Sequence, residues 1–255
     1  MKILQELSDN ELKMVCSVNK YVSSLCNEDT FWLNRLLKTF TVKTIKQLKG
    51  DFSYKQIYKY LFYEQNVGIL NSIKNHNFYL FKTIYEQYSN KIEEVEVLLE
   101  ATDTEDFEIL SFLLFQHEDM NDRDDAVDVI ISLHNEKIFE WLNKMSLCNK
   151  YRYVVDIIID LDSYEDHENL ISQIKKYSED LEELQLFQIA FILGETATNR
   201  TIKAVKTIYQ YILSNIPKTL KSRNDLRKDF ISGLKENTRL TETEKEDLVT
   251  FVNSF

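Results

Sequence analysis

Glycine and proline are nearly missing, with four of one and a single copy of the other in 255 residues. Hairpin turns draw on both, so a β-domain built on tight turns is excluded and a helical chain is expected. So few glycines also leave no phosphate cradle. There is no GxGxxG, no phosphate-binding glycine loop and no GxSxG elbow. Cysteine is scarce: Cys16, Cys26 and Cys148, with no CxxC pair. Their odd number, and the acids Glu6 and Asp9 where a signal peptide would be apolar, lead to an expectation of reduced thiols in a soluble, cytoplasmic protein. No apolar run reaches the length of a membrane span, so no membrane partner is expected.

The four histidines, His76, His117, His134 and His167, have no metal-ligand spacing with one another or with a cysteine. The stretch from Asp119 to Asp125 opens like a calcium loop. It has Asp124 at the glycine position and Ile130 where the closing glutamate belongs. Asp160-x-Asp162 fails in the same way, with Glu165 and Ile171 at those places. No catalytic residue, cofactor or metal is therefore expected, and no enzyme. A site assembled from distant residues is the one route left to catalysis.

What the chain does have is acid: 42 Asp and Glu against 31 Lys and Arg, a net charge of −11. The excess is confined to residues 61–194, which carry −18, while residues 1–60 carry +4 and residues 195–255 carry +3. Phosphate contacts need a basic face, so nucleic acid is not an expected ligand. A basic protein target on this acidic region is compatible with the charge, and so is a plain solvated surface.

From Asn66 onward a spacing of 29 residues recurs. Ile69, Leu98 and Val127 correspond, as do Asn77, Asp106 and Asn135. Apolar sets follow in register: Leu80, Phe81 and Ile84, then Ile109, Leu110 and Leu113, then Ile138, Phe139 and Leu142. Each period reads as helix, short polar turn and second helix, the pattern of stacked helical hairpins. Residues 154–159 echo residues 126–131 and suggest a fourth hairpin. They are read as helix despite their β-branched density. Farther on, residues 186–193 end at Gly194, and Pro217 closes a helix that starts near Thr201. A short helix is expected over 225–234, and Thr241-x-x-Glu244 caps a last one.

The N-terminal stretch is the most specific. Ser8-x-x-Glu11 is a capping box that starts a helix near Asp9, whose apolar positions Leu12, Val15, Val18, Val22 and Leu25 step by three and four. Asn27, Glu28 and Asp29 interrupt it, and a second helix carries Phe31, Trp32, Leu33, Leu36, Leu37 and Phe40. Gly50 and Asp51 mark a turn before Ser53-x-x-Gln56, a capping box for a linking helix. Leu7-Ser8-Asp9, then Val18-Asn19-Lys20-Tyr21, then Asn27-Glu28-Asp29-Thr30-Phe31-Trp32 together resemble the later part of an F-box. The likeness is greatest to the short heads of large-DNA-virus F-box/ankyrin proteins. Only a few residues precede Leu7, with no Leu-Pro helix, so the expectation is either a first F-box helix cut to about one turn or a motif kept as a structural relic.

The resemblance implies an all-α chain with a short F-box-like helical head and linker helix over 1–62. A helical-hairpin repeat body, solenoid-like and similar to degenerate ankyrin repeats, then fills 63–255 with capping helices at its end. It implies a protein–protein interaction adaptor that brings a target, unknown in identity, to a Skp1-type subunit of a ubiquitin ligase. If the source is viral, it would do so in the host cytoplasm. Leu4, Leu7, Leu12, Val15 and Val18 would then make the partner contacts, with Trp32 fixing the angle between the head helices. The alternative is a helical-repeat interaction protein with no ubiquitin link, in which the head only caps the array.

Overall fold

In a computed structural model, residues 2–18, 20–116, 120–165 and 167–255 are described. Asn19 of the F-box-like stretch, His117 and Asp119 lie outside them. The described residues are all helix and turn, with no strand. They form two compact units, Met1–Ala126 and Val127–Phe255.

The first unit starts with α1 (Lys2–Glu6), α2 (Asp9–Val18), α3 (Lys20–Asn27) and α4 (Asp29–Leu36). Next come α5 (Val42–Lys49), α6 (Tyr54–Phe62), α7 (Gln65–Lys74) and α8 (Phe78–Tyr88). It continues with α9 (Glu94–Asp103), α10 (Phe107–Gln116) and the start of α11 (Met120–Ile131). The second unit takes the rest of α11, then α12 (Glu136–Lys144), α13 (Lys150–Asp160), α14 (His167–Ser178) and α15 (Glu183–Thr196). Helices α16 (Ile202–Asn215), α17 (Leu220–Glu236) and α18 (Glu242–Asn253) complete it. The boundary expected after residue 62 falls inside the first unit, where α6 packs on both α4 and α7.

The 29-residue period is visible in the backbone. His76, Glu105 and His134 all sit in the left-handed region, with φ of 49°, 53° and 50°. Each closes the helix before it. The His76 amide donates to the Ile73 carbonyl, that of Glu105 to Thr102, and that of His134 to Ile131. The next residue starts the following helix: Asn77, Asp106 and Asn135 accept the amides of Leu80, Ile109 and Ile138 at 3.1, 3.1 and 3.2 Å. The corresponding apolar residues are buried in each period. Asn77 also donates to the Leu48 carbonyl at 2.8 Å. Gly50 permits this approach: its φ is +41°, and a Cβ there would meet the Asn77 amide nitrogen at 2.7 Å.

Residues 154–159 are helical, within α13, and α13 pairs with α14 as the fourth hairpin. Two expectations in the C-terminal region are corrected. The helix expected over 225–234 runs from Leu220 to Glu236. Gly194 does not end its helix. It lies inside α15, where a Cβ would come 2.5 Å from the Phe230 carbonyl oxygen, and a Cβ on Gly233 of α17 would lie 2.0 Å from that of Phe191. The two glycines let the backbones of α15 and α17 touch.

Candidate functional site

The N-terminal helices fold around one guanidinium. Arg35 points inward from α4 and is buried. Its Nη1 donates to the carbonyls of Leu4 (3.3 Å) and Leu7 (3.1 Å), at and just beyond the end of α1. A cation suits those carbonyls, which have no partner inside a helix. Nη2 pairs with Asp9 at 2.5 Å, at the start of α2, and Nε donates to the Tyr58 hydroxyl of α6 at 3.2 Å. The Tyr58 hydroxyl donates in turn to Asp9 at 2.9 Å. Burial, the largest influence, raises the Tyr58 phenol above its ordinary pKa, so it stays a donor near neutrality. Four helices thus meet at Arg35.

Trp32 is the apolar counterpart. Its indole N–H donates to the Cys26 carbonyl at 2.7 Å, near the end of α3. Its ring lies against Phe31 and Tyr58, with centroids 5.2 and 5.1 Å away.

Where one helix is expected from Asp9 past Val22, the described residues form α2 and α3. A single helix would hold Cys16 and Cys26 roughly 15 Å apart. Their Cα atoms are 6.1 Å apart and their sulfurs are bonded, so the chain doubles back as a stapled hairpin. The expectation of three reduced thiols is corrected accordingly: only Cys148 is free. Burial pushes that thiol up to about 11, which keeps it protonated near neutral pH.

An open cleft of about 670 Å³ lies beside this hairpin, with Leu12, Cys16, Cys26 and Trp32 among its lining and Lys13, Lys55 and Lys59 around it. Among the described residues its lining holds no histidine and no free thiol; its acids are Asp9 and Glu64.

No protein-family model, curated protein or solved structure matches this chain. The F-box resemblance therefore stands on residues 3–40 alone.

The five residues expected to touch a partner, and Trp32 expected to set the angle behind them, do not form one surface. Leu12 and Trp32 are buried, and Leu4 and Leu7 are half-buried. Val15 lies at the edge of exposure, and Val18 is 82% exposed. On α2, Val18 is not alone: Met14 is 62% exposed one turn earlier, and Tyr21 on α3 is 71% exposed. Leu12 faces in because it lies about 120° around the helix from Val18. Arg35, Met14 and the Cys16–Cys26 bond were not singled out by the sequence pattern, which read Asp9 as a turn and helix start and Tyr58 as an apolar position of the linking helix, not as partners of a buried arginine. A charged residue three positions after a buried tryptophan, within an apolar helix, was the one signal that could have flagged Arg35.

Proposed function

We propose that this chain is a non-enzymatic adaptor. Its N-terminal hairpin docks on a Skp1-type subunit of a ubiquitin ligase, and its acidic region from residue 63 onward holds a target protein. The observation that carries this reading is the outward apolar set Met14, Val18 and Tyr21, in a region whose other large apolar residues are mostly turned inward. Exposed apolar residues grouped on one hairpin are what a protein interface uses. Lys13 and Lys20 are exposed on the same two helices, so the matching seat on the partner is apolar with an acidic rim. The arrangement of residues 7–32 supplies the F-box comparison. No helix among the described residues is long and apolar enough to cross a membrane, in keeping with a partner met in solution.

A second reading, an interaction protein with no ubiquitin link, is favoured by the inward placement of Leu12 and Trp32 and the half-burial of Leu4 and Leu7. Two double variants separate the readings when binding and melting temperature are measured on each. Met14→Asp with Val18→Asp is expected to abolish binding of a purified Skp1-type subunit at unchanged melting temperature. Leu4→Asp with Leu7→Asp is expected to lower the melting temperature, because both leucines are partly packed. A wild-type chain that shows no binding at micromolar concentration overturns the adaptor and leaves the second reading.

A further inference from the structure

The second unit holds a group of side chains that the adaptor reading does not use. His134 occupies the turn between α11 and α12, and Asp156 and Asp160 lie one helical turn apart on α13. The His134 side chain is only 2% exposed, yet neither ring nitrogen makes a hydrogen bond. Oδ2 of Asp156 is likewise buried without a hydrogen-bond partner. Buried polar atoms nearly always make good hydrogen bonds, so a buried ring whose nitrogens face two carboxylates only at ion-pair distance needs a cause.

His76, at the equivalent position two periods earlier, shows the ordinary outcome. It is 62% exposed, and its Nδ1 lies 3.0 Å from Oδ2 of Asp106 in a normal hydrogen bond. At His134 the corresponding distances are longer: 3.4 Å from Nδ1 to Asp156 Oδ2 and 3.5 Å from Nε2 to Asp160 Oδ2. Zinc bonds to nitrogen and oxygen of about 2.0–2.2 Å place neighbouring tetrahedral ligands roughly 3.3–3.6 Å apart. On whichever ring nitrogen binds, the carboxylate oxygen beside it already stands at the separation of two ligands on one ion.

We propose that His134, Asp156 and Asp160 form a binding site for a divalent transition-metal ion. One donor atom from each residue lies within 4.8 Å of the other two, so a single ion can engage all three after small side-chain rotations. Only one ring nitrogen can bind the ion. The aspartate beside the other nitrogen reaches the ion by turning its carboxylate away from that side of the ring. The ring is already held in place, its centroid 5.1 Å from that of Tyr164 and 6.4 Å from that of Tyr153. The Tyr164 hydroxyl is fixed on the Ser132 carbonyl at 3.0 Å. Asp156 and Asp160 are partly exposed, which gives the ion an entry path and leaves room for water to complete its shell. Imidazole with carboxylates suits zinc and its first-row neighbours. Sequence spacing hid the site because its histidine lies more than twenty residues before both aspartates and no cysteine accompanies them.

The test is calorimetric titration of the full metal-free chain with Zn²⁺ alone, beside melting curves with and without the ion. One Zn²⁺ per chain at micromolar affinity or tighter is expected, with a rise in melting temperature on binding. Asp160→Asn should weaken binding at least tenfold while the metal-free chain melts as wild type, since Asp160 is the more exposed ligand. His134→Gln should abolish binding, and Asp128→Asn, on α11 and paired with Arg152, should leave it intact. Absence of saturable binding overturns the proposal. So does binding that Asp160→Asn and His134→Gln both leave unchanged, because the ion would then sit on other acids.

Discussion

Arg35 shows how one residue can hold a small region whose apolar core is thin. Its guanidinium meets two carbonyls, one carboxylate and one phenol, and those groups tie α1, α2 and α6 to its own helix, α4. Arg35→Ala is expected to destabilise the first unit by about 3 kcal/mol in urea unfolding, near the low end for a broken buried pair because Asp9 keeps some solvent. Arg35→Lys should recover less than half of that, since an ammonium cannot reproduce the planar fork. A loss under about 1 kcal/mol for alanine would show that water replaces the guanidinium without cost. The sequence exposed Trp32 as a buried anchor because aromatic residues in apolar helices pack inward. It hid Arg35 because a charge in a helix reads as surface until its partners, about 23 to 31 residues away, are known.

Among the elements, those spelled by local chemistry were legible. The capping boxes at Ser53 and Thr241 form as their sequences say, and so does the reciprocal bonding of Ser8 with Glu11. The period of 29 was legible through its apolar positions and its Asn and Asp caps. Its left-handed turn residues were not, because His76, Glu105 and His134 stand where glycine would have been the signal. The α2–α3 hairpin was missed because its apolar steps fit one continuous helix. Only the Cys16–Cys26 pairing, a contact between two halves of the stretch, shows the fold-back. Gly194 was misread as a stop because a glycine in a helix has two uses, ending it or admitting a neighbour. The second use sets a prediction by its sign. Alanine for glycine inside a helix ordinarily stabilises by about 1 kcal/mol. Gly233→Ala should instead destabilise by about 1–3 kcal/mol in thermal or urea unfolding, because the new methyl group meets the backbone of Phe191. A stabilised variant would mean that α15 and α17 can part freely.

Across the whole molecule, charge is the property that local contacts do not balance. Residues 61–194 carry −18, and the cations there are largely engaged, as in Lys150 with Asp180, Arg152 with Asp128 and Lys176 with Glu136 and Glu140. These pairs are partly exposed and individually weak, whereas the repulsion among the surplus acids acts over the whole region. Salt shortens the reach of both, from about 30 Å at 0.01 M to about 3 Å at 1 M. The melting temperature is therefore expected to rise by several degrees across that range of sodium chloride. A fall would mean that the ion pairs outweigh the repulsion. The all-helical class could be read from composition, since so few glycines and prolines leave helices as the economical way to build a chain of this length.

The matched turns have one further consequence. His76 and Glu105 hold the same backbone conformation, and Asn77 and Asp106 start their helices in the same way. Residues 77–105 therefore begin and end at equivalent points, like a sentence that can be lifted out between two identical commas. Excising them would set His76 directly before Asp106, a left-handed residue followed by a helix cap, as at every other junction of the series. Phe107, Ile109, Leu110 and Leu113 would arrive where Phe78, Leu80, Phe81 and Ile84 had been. In such a chain, length is adjustable in whole periods, and this particular cut forfeits the bond from Asn77 to the Leu48 carbonyl, which an aspartate carboxylate cannot donate.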